Sequence, residues 1–317
     1  VNGDGFDDIL IGASGDGVGS SLVSQGRVYV FFGGDRTTLT GHGAWDLTSS
    51  GHTGFPIERG FRIEGDANFR GVGQSISGGF DLNDDGFDDF LIGVETDSKN
   101  GHVDDVGEAV LVYGTNEFDR SILPLQNLAG KGGSMNPRGV ILALKNKDGA
   151  GKKALLGLEM AALDDVNGDG HDDIAVGAPQ YGDGGAAFVI FGGIQYHGTL
   201  FLDEMDGSDG FGILGAKKGD LCGGDVKKAG DFNGDGYGDI IVGAAGFEHR
   251  RGAAYIVLGR KHFGPTVRAD ISFRGDVAKD MAGYSVSSAG DVDGDGLDDV
   301  LIGAFTSSPQ AREMAGT

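Results

Sequence analysis

Short apolar runs recur along the chain, each closed by a glycine and each entered from a polar turn. The first set is ILIGA at 9–13, FLIGV at 90–94, IAVGA at 174–178, IIVGA at 240–244 and VLIGA at 300–304. A glycine-led set follows after a variable loop: GRVYVFFG at 26–33, GEAVLVYG at 107–114, GAAFVIFG at 185–192 and GAAYIVLG at 252–259. A third set, FRIEG at 61–65, GVILAL at 139–144, FGILG at 211–215 and ISFRG at 271–275, precedes a stretch of small residues such as GVGQSISGGFD at 71–81. β-Branched and aromatic residues bounded by glycines predict strands. Each unit therefore holds four, and its small-residue strand suits the crowded innermost place in a blade. Four-stranded units in tandem predict an all-β β-propeller of antiparallel blades. The expected blades are 1–65 (lacking a first strand), 66–146, 147–215, 216–275 and 276–317 (two strands), an incomplete propeller within a longer protein.

The polar turn before each apolar run carries the chemistry. In DVNGDGHDD, Asp165, Asn167 and Asp169 alternate, Gly170 follows, and Asp173 closes the turn. Oxygens at positions 1, 3 and 5, a glycine at 6, a backbone carbonyl at 7 (His171) and a carboxylate at 9 form the cage that a hard cation such as Ca2+ requires. The turn recurs with Asp81, Asn83, Asp85, the Phe87 carbonyl and Asp89. It recurs again with Asp231, Asn233, Asp235, the Tyr237 carbonyl and Asp239, and with Asp291, Asp293, Asp295, the Leu297 carbonyl and Asp299. A partial copy keeps Asn2, Asp4, the Phe6 carbonyl and Asp8 without the first ligand. The closing residues Asp8, Asp89, Asp173, Asp239 and Asp299 lie 81, 84, 66 and 60 apart, a period typical of propellers and solenoids.

Composition sharpens this reading. The 63 glycines are about a fifth of the 317 residues, without a Gly-X-Y period, which fits many tight turns. The five turns hold 21 of the 48 acidic residues and no Lys or Arg, a density that calls for bound cations. A net charge of −23 argues against a nucleic-acid partner. One cysteine allows no internal disulfide, and no apolar run is long enough to span a membrane.

These turns, with the trailing Gly177-Ala178-Pro179 and the Ala282-Gly283-Tyr284 that stands near a leading Phe-Gly, resemble the FG-GAP repeats of the integrin α-subunit propeller and its bacterial relatives. The resemblance implies calcium at the turn joining the first two strands of each blade, with up to four complete sites and a fifth partial one. It also implies a secreted or cell-surface, non-enzymatic scaffold that binds a protein or glycan on the face opposite the calcium.

Several other readings are weaker. An EF-hand loop ends in Glu at position 12 and enters a helix, whereas here position 12 is Ile92, Val176, Val242 or Ile302 inside an apolar run. Arg274-Gly275-Asp276 spells an adhesion tripeptide but occupies the same strand-to-turn junction as Glu64-Gly65-Asp66. The segment 147–153 lacks the glycine and hydroxyl residue of a phosphate loop. The lysine pairs 152–153, 217–218 and 227–228 read as solvated faces. Insertions at 34–60, with Trp45 and Phe55, and at 115–138 read as surface loops. No catalytic constellation is present, so an enzymatic role, as a module appended to a hydrolase, would place the chemistry outside these residues. A purely structural spacer is the other alternative.

Overall fold

The computed structural model describes residues 1–15, 25–35, 47, 59–66, 69–94, 106–118, 122–128, 138–145 and 153–307. Its strands in chain order are β1 (Ile9–Ala13), β2 (Arg27–Phe31), β3 (Gly60–Glu64), β4 (Ile76–Phe80), β5 (Asp89–Val94), β6 (Glu108–Val112), β7 (Ile122–Pro124), β8 (Gly139–Ala143), β9 (Met160–Ala162) and β10 (Ile174–Ala178). They continue with β11 (Ala186–Ile190), β12 (Thr199–Phe201), β13 (Gly210–Leu214), β14 (Asp225–Gly230), β15 (Asp239–Ala244), β16 (Ala253–Val257), β17 (Thr266–Val267), β18 (Ile271–Arg274), β19 (Ser285–Gly290) and β20 (Asp299–Gly303). Antiparallel neighbours build five successive sheets: β1-β2-β3, β4-β5-β6-β8, β9-β10-β11-β13, β14-β15-β16-β18 and β19-β20. The expected run of antiparallel propeller blades is thus present.

The sheets stack face to face, which is why their middle strands read as unbroken apolar runs instead of alternating ones. In β5, Phe90 and Ile92 pack with Val28, Val30, Phe61 and Ile63 of the first sheet. Leu91, between them, packs with Ile174, Val176 and Phe188 of the third. Ala175 and Val189 of the third sheet turn the other way, toward Ile240, Val242 and Tyr255. Burying each such large side chain contributes about 1.5–3 kcal/mol. A strand covered on both faces has no polar side to spare.

One addition was not legible in the sequence. β7, β12 and β17 each leave their own unit and pair in parallel with the outer strand of the preceding sheet, on β3, β8 and β13 respectively. The 115–138 insertion is therefore only partly surface. It supplies β7 and a one-turn helix, Leu125–Leu128, whose Leu125 and Leu128 join the core, and Phe118 stacks on Phe61 at 4.4 Å. Trp45, Phe55 and most of the 34–60 insertion lie outside the described residues.

The glycines that lead into the third strand of each blade also have a physical cause. Gly26, Gly107, Gly185 and Gly252 all have positive φ, and each lies against the backbone of the segment that leads into the next sheet. A Cβ on Gly252 would stand 2.2 Å from Ala282 N, and one on Gly185 would stand 2.5 Å from Cys222 O. Gly182 also has positive φ but faces open space. Alanine at 182 should therefore cost only the left-handed backbone, about 1–2 kcal/mol. We expect Gly252→Ala to lower the denaturant midpoint clearly more than Gly182→Ala. Equal losses would show that the sheets do not approach so closely there.

Candidate metal centres

Each complete acidic turn is a hairpin between the first two strands of a blade, and its closing aspartate is its most buried carboxylate. Asp173 Oδ2 accepts the Val166 N–H at 2.9 Å and Oδ1 accepts the Gly192 N–H at 2.9 Å. Asp89 does the same with Leu82 and Gly114, at 3.0 and 2.8 Å. Asp239 does so with Phe232 and Gly259, at 2.9 and 2.7 Å, and Asp8 with Asn2 and Gly33, at 3.2 and 2.9 Å. Asp299 accepts the Val292 N–H at 2.9 Å. One carboxylate thus ties the start of the turn to the glycine that ends the third strand of its blade. Sequence reasoning offered this residue only as a ligand.

Burial carries an electrostatic cost. Asp89 and Asp173 are fully buried, and desolvation lifts their carboxyls from 3.8 to about 7 against the pull of the two backbone donors. Asp239 is lifted to about 6 by the same cause. The aspartates at positions 1 and 5 of the same turns add to the rise.

Positions 1, 3 and 5 are more open. Asp165 Oδ1 accepts the Gly168 and Asp169 N–H groups at 2.6 and 3.1 Å, and Oδ2 accepts the Gly170 N–H at 2.7 Å. Asp81, Asp231 and Asp291 likewise accept the N–H groups of positions 5 and 6. The backbone of position 7 is drawn in by the position-5 carboxylate, as His171 N–H is by Asp169 at 3.0 Å. The same bond joins Phe6 to Asp4, Phe87 to Asp85, Tyr237 to Asp235 and Leu297 to Asp295.

These sets fit a hard cation by donor chemistry. In the fifth turn Asp291, Asp293 and Asp299 bring one oxygen each to within 4.8 Å of one another. In the second, Asn83 Oδ1 is a buried acceptor without a hydrogen-bond partner among the described residues, while its amide nitrogen donates to Asp85 and Gln195 at 3.0 and 2.7 Å. A cation would take that oxygen together with Asp81, Asp85 and Asp89.

The turns also touch one another. The position-7 side chain of one turn stands over position 4 of the turn before it. Phe87 covers Gly3, Tyr237 covers Gly168, and Leu297 covers Gly234, where added Cβ atoms would lie 2.5, 2.4 and 2.7 Å from those side chains. Between the second and third turns position 4 is Asp84, and its neighbour is His171, with Nδ1 3.8 Å from Asp84 Oδ2. The Gly238 N–H donates to the Asp165 carbonyl at 2.8 Å, and the Asp231 N–H to Asp298 Oδ2 at 2.8 Å. Lys228 is not a simple solvated lysine, since it reaches from β14 to Asp164 at 2.8 Å, and Lys227 pairs with Asp225 at 2.8 Å. The Arg-Gly-Asp tripeptide is structural at its first two residues, with Arg274 over the Phe247 ring at 5.3 Å and the Gly275 N–H donating to Gly252.

Comparison with known proteins agrees with this repeat structure. Residues 1–31, 157–190, 229–257 and 282–308 match the FG-GAP repeat. The second turn falls outside those residues but carries the same bonding. The chain is 36% identical over 163 residues to Integrin alpha pat-2 of Caenorhabditis briggsae, covering 47% of this chain and 13% of that protein. It is 32% identical over 177 residues to Integrin alpha-6 of Gallus gallus (51% and 14%) and 32% over 170 residues to Integrin alpha-V of Gallus gallus (51% and 16%). The chain thus corresponds to a small part of those relatives.

The raised carboxyls dictate a pH dependence for the ion-free protein. A carboxyl whose folded value exceeds its unfolded one stabilises the fold at low pH, and that contribution is lost as pH rises through the folded value. In EDTA the melting temperature should therefore fall as pH rises from the ordinary aspartate range through about 7. A melting temperature that is flat or rising across that window would contradict the burial of these groups.

Proposed function

We propose that this chain, an FG-GAP repeat protein of the integrin α-like kind, is a calcium-binding β-propeller segment that works outside the cell as a non-enzymatic binding scaffold. The observation that carries the reading is the repetition of one all-oxygen turn, four times complete, at the same hairpin of successive blades. Asp81, Asn83, Asp85 and Asp89 hold the ion in the second blade, and their counterparts hold it in the third to fifth. The carbonyls of Phe87, His171, Tyr237 and Leu297 complete the sets. A bound cation supplies the positive charge that the buried closing carboxylate lacks. The chain's own residues keep the donors in place through the backbone N–H groups of positions 5, 6 and 7.

Antiparallel connectivity puts these turns at one edge of the sheets and the connections between second and third strands at the other. A protein or glycan partner would meet that second edge. The connection in the fourth blade offers a shaped surface there, since Glu248, His249 and Arg250 all have left-handed φ and expose His249 and Arg250. Such backbone costs about 1–2 kcal/mol per residue and is characteristic of functional segments.

Thermal melts in EDTA, in millimolar calcium and in millimolar magnesium test the metal assignment. Extracellular modules hold calcium at about 10⁻⁴–10⁻³ M, and each site filled at a hundredfold excess over its Kd contributes about 2.7 kcal/mol. We expect a large rise in melting temperature with calcium and a smaller one with magnesium, which demands tighter octahedral geometry. Identical melts in all three buffers would refute calcium binding and leave the turns as hairpin connections.

A further inference from the structure

Three of the acidic turns carry Asn-Gly at positions 3 and 4: Asn2-Gly3, Asn167-Gly168 and Asn233-Gly234. Asparagine is chemically labile, most of all before glycine, whose missing Cβ leaves the next backbone nitrogen unshielded. That nitrogen is the nucleophile, so its hydrogen bonding decides whether the pair can react.

The two complete Asn-Gly turns differ at this atom. The Gly168 N–H donates to Asp165 Oδ1 at 2.6 Å. In the fifth turn, with Asp293 before it, Gly294 is tied in the same way to Asp291 at 2.7 Å. In the fourth turn Asp231 Oδ1 accepts only the Asp235 N–H, at 3.0 Å, and Oδ2 only the Gly236 N–H, at 2.9 Å. Among the described residues the Gly234 N–H has no acceptor. Asn233 and Gly234 are both exposed. Asn233 is folded back along its own turn, its Oδ1 accepting the Asp235 N–H at 3.1 Å and its Nδ2 donating to Asp235 Oδ2 at 2.8 Å. Gly3 belongs to the partial turn, so the complete turns make the fair comparison.

We propose that Asn233 is a site of spontaneous deamidation, selected over the sequence-identical Asn167-Gly168-Asp169 by the free nitrogen of Gly234. The Gly234 nitrogen loses its proton to solvent and bonds to Asn233 Cγ. The Cγ–Nδ2 bond breaks, and Nδ2 takes a proton and leaves as ammonia. Water then opens the cyclic imide at either carbonyl, giving aspartate or isoaspartate, and no oxidant or reductant is involved. The aspartate product gives the fourth turn the residue pattern of the fifth, where Asp291, Asp293 and Asp299 converge. The isoaspartate product inserts a methylene into the backbone at the centre of the turn.

The test incubates the whole chain at mildly alkaline pH in EDTA, folded and in denaturant. Proteolysis and mass spectrometry then follow the peptides carrying residues 167 and 233, with isoaspartate resolved from aspartate. The expected result is several-fold faster conversion at Asn233 than at Asn167 in the folded protein, and equal rates in denaturant, where both are Asn-Gly-Asp. Conversion at Asn167 as fast as at Asn233 in the fold, or no conversion at Asn233 while the denatured chain reacts, overturns the proposal. A parallel incubation with millimolar calcium bears on the metal assignment alone. Slowing at Asn233 supports occupation of the fourth turn, and an unchanged rate counts against calcium there while leaving the deamidation result intact.

Discussion

The rest of the structure depends on one interaction, a buried carboxylate that accepts two backbone N–H groups from different parts of its blade. In the third blade Asp173 joins Val166, at the head of the turn, to Gly192, at the end of the third strand. Hydrogen bonds to a charged acceptor are stronger than neutral ones, and removing the acceptor would leave two buried donors unpaired. The glycine is not free to vary either, because a Cβ on Gly192 would stand 2.2 Å from the Asp172 carbonyl. The acidic turn is therefore part of the sheet's framework as well as a candidate ion site.

From this anchor the turns extend into a connected file. Each unit's position-7 side chain lies on the glycine of the turn before it, and the exception is itself complementary. Where position 4 is Asp84, the neighbour is His171 instead of an apolar or phenolic ring. Lys228 adds a fixed positive charge from the innermost strand, held by Asp164 and drawn toward Asp172 and Asp298, which with Asp164 raise its pKa. Acidic turns that would repel one another as isolated loops are thus joined by backbone bonds and one ammonium group.

Most of the architecture was legible in the sequence because its signals are local and repeated. Continuous apolar runs marked strands buried on both faces, and a constant nine-residue spacing marked the turns. What escaped was set by distance. β12 and β17 are three and two residues long, carry no alternation, and find their partners in the preceding unit, about 60 residues upstream. No window of sequence contains both halves of such a pair. The glycines leading the third strands were visible as strand boundaries, but their cause, a backbone passing within a Cβ radius, lies in the next blade. At the candidate site the ligand pattern could be read, whereas the second role of the closing aspartate depends on a glycine 19–25 residues further on.

The hydrogen bonding also bears on how a cation would act. Positions 1 and 5 hold the backbone through N–H bonds, so the chain's own hydrogen bonds contribute to the shape of the turn. Each carboxylate oxygen has two lone-pair sites, and accepting one N–H leaves it able to coordinate. A cation held by these oxygens would meet donors already tied to the backbone, an arrangement that favours binding by preorganisation. What the ion-free turn lacks is charge balance at its buried end, where Asp89 and Asp173 are driven toward protonation. A cation bound there would compete with the proton for the same deficit. Occupation by a cation would stabilise the blades most at the pH where the proton has left.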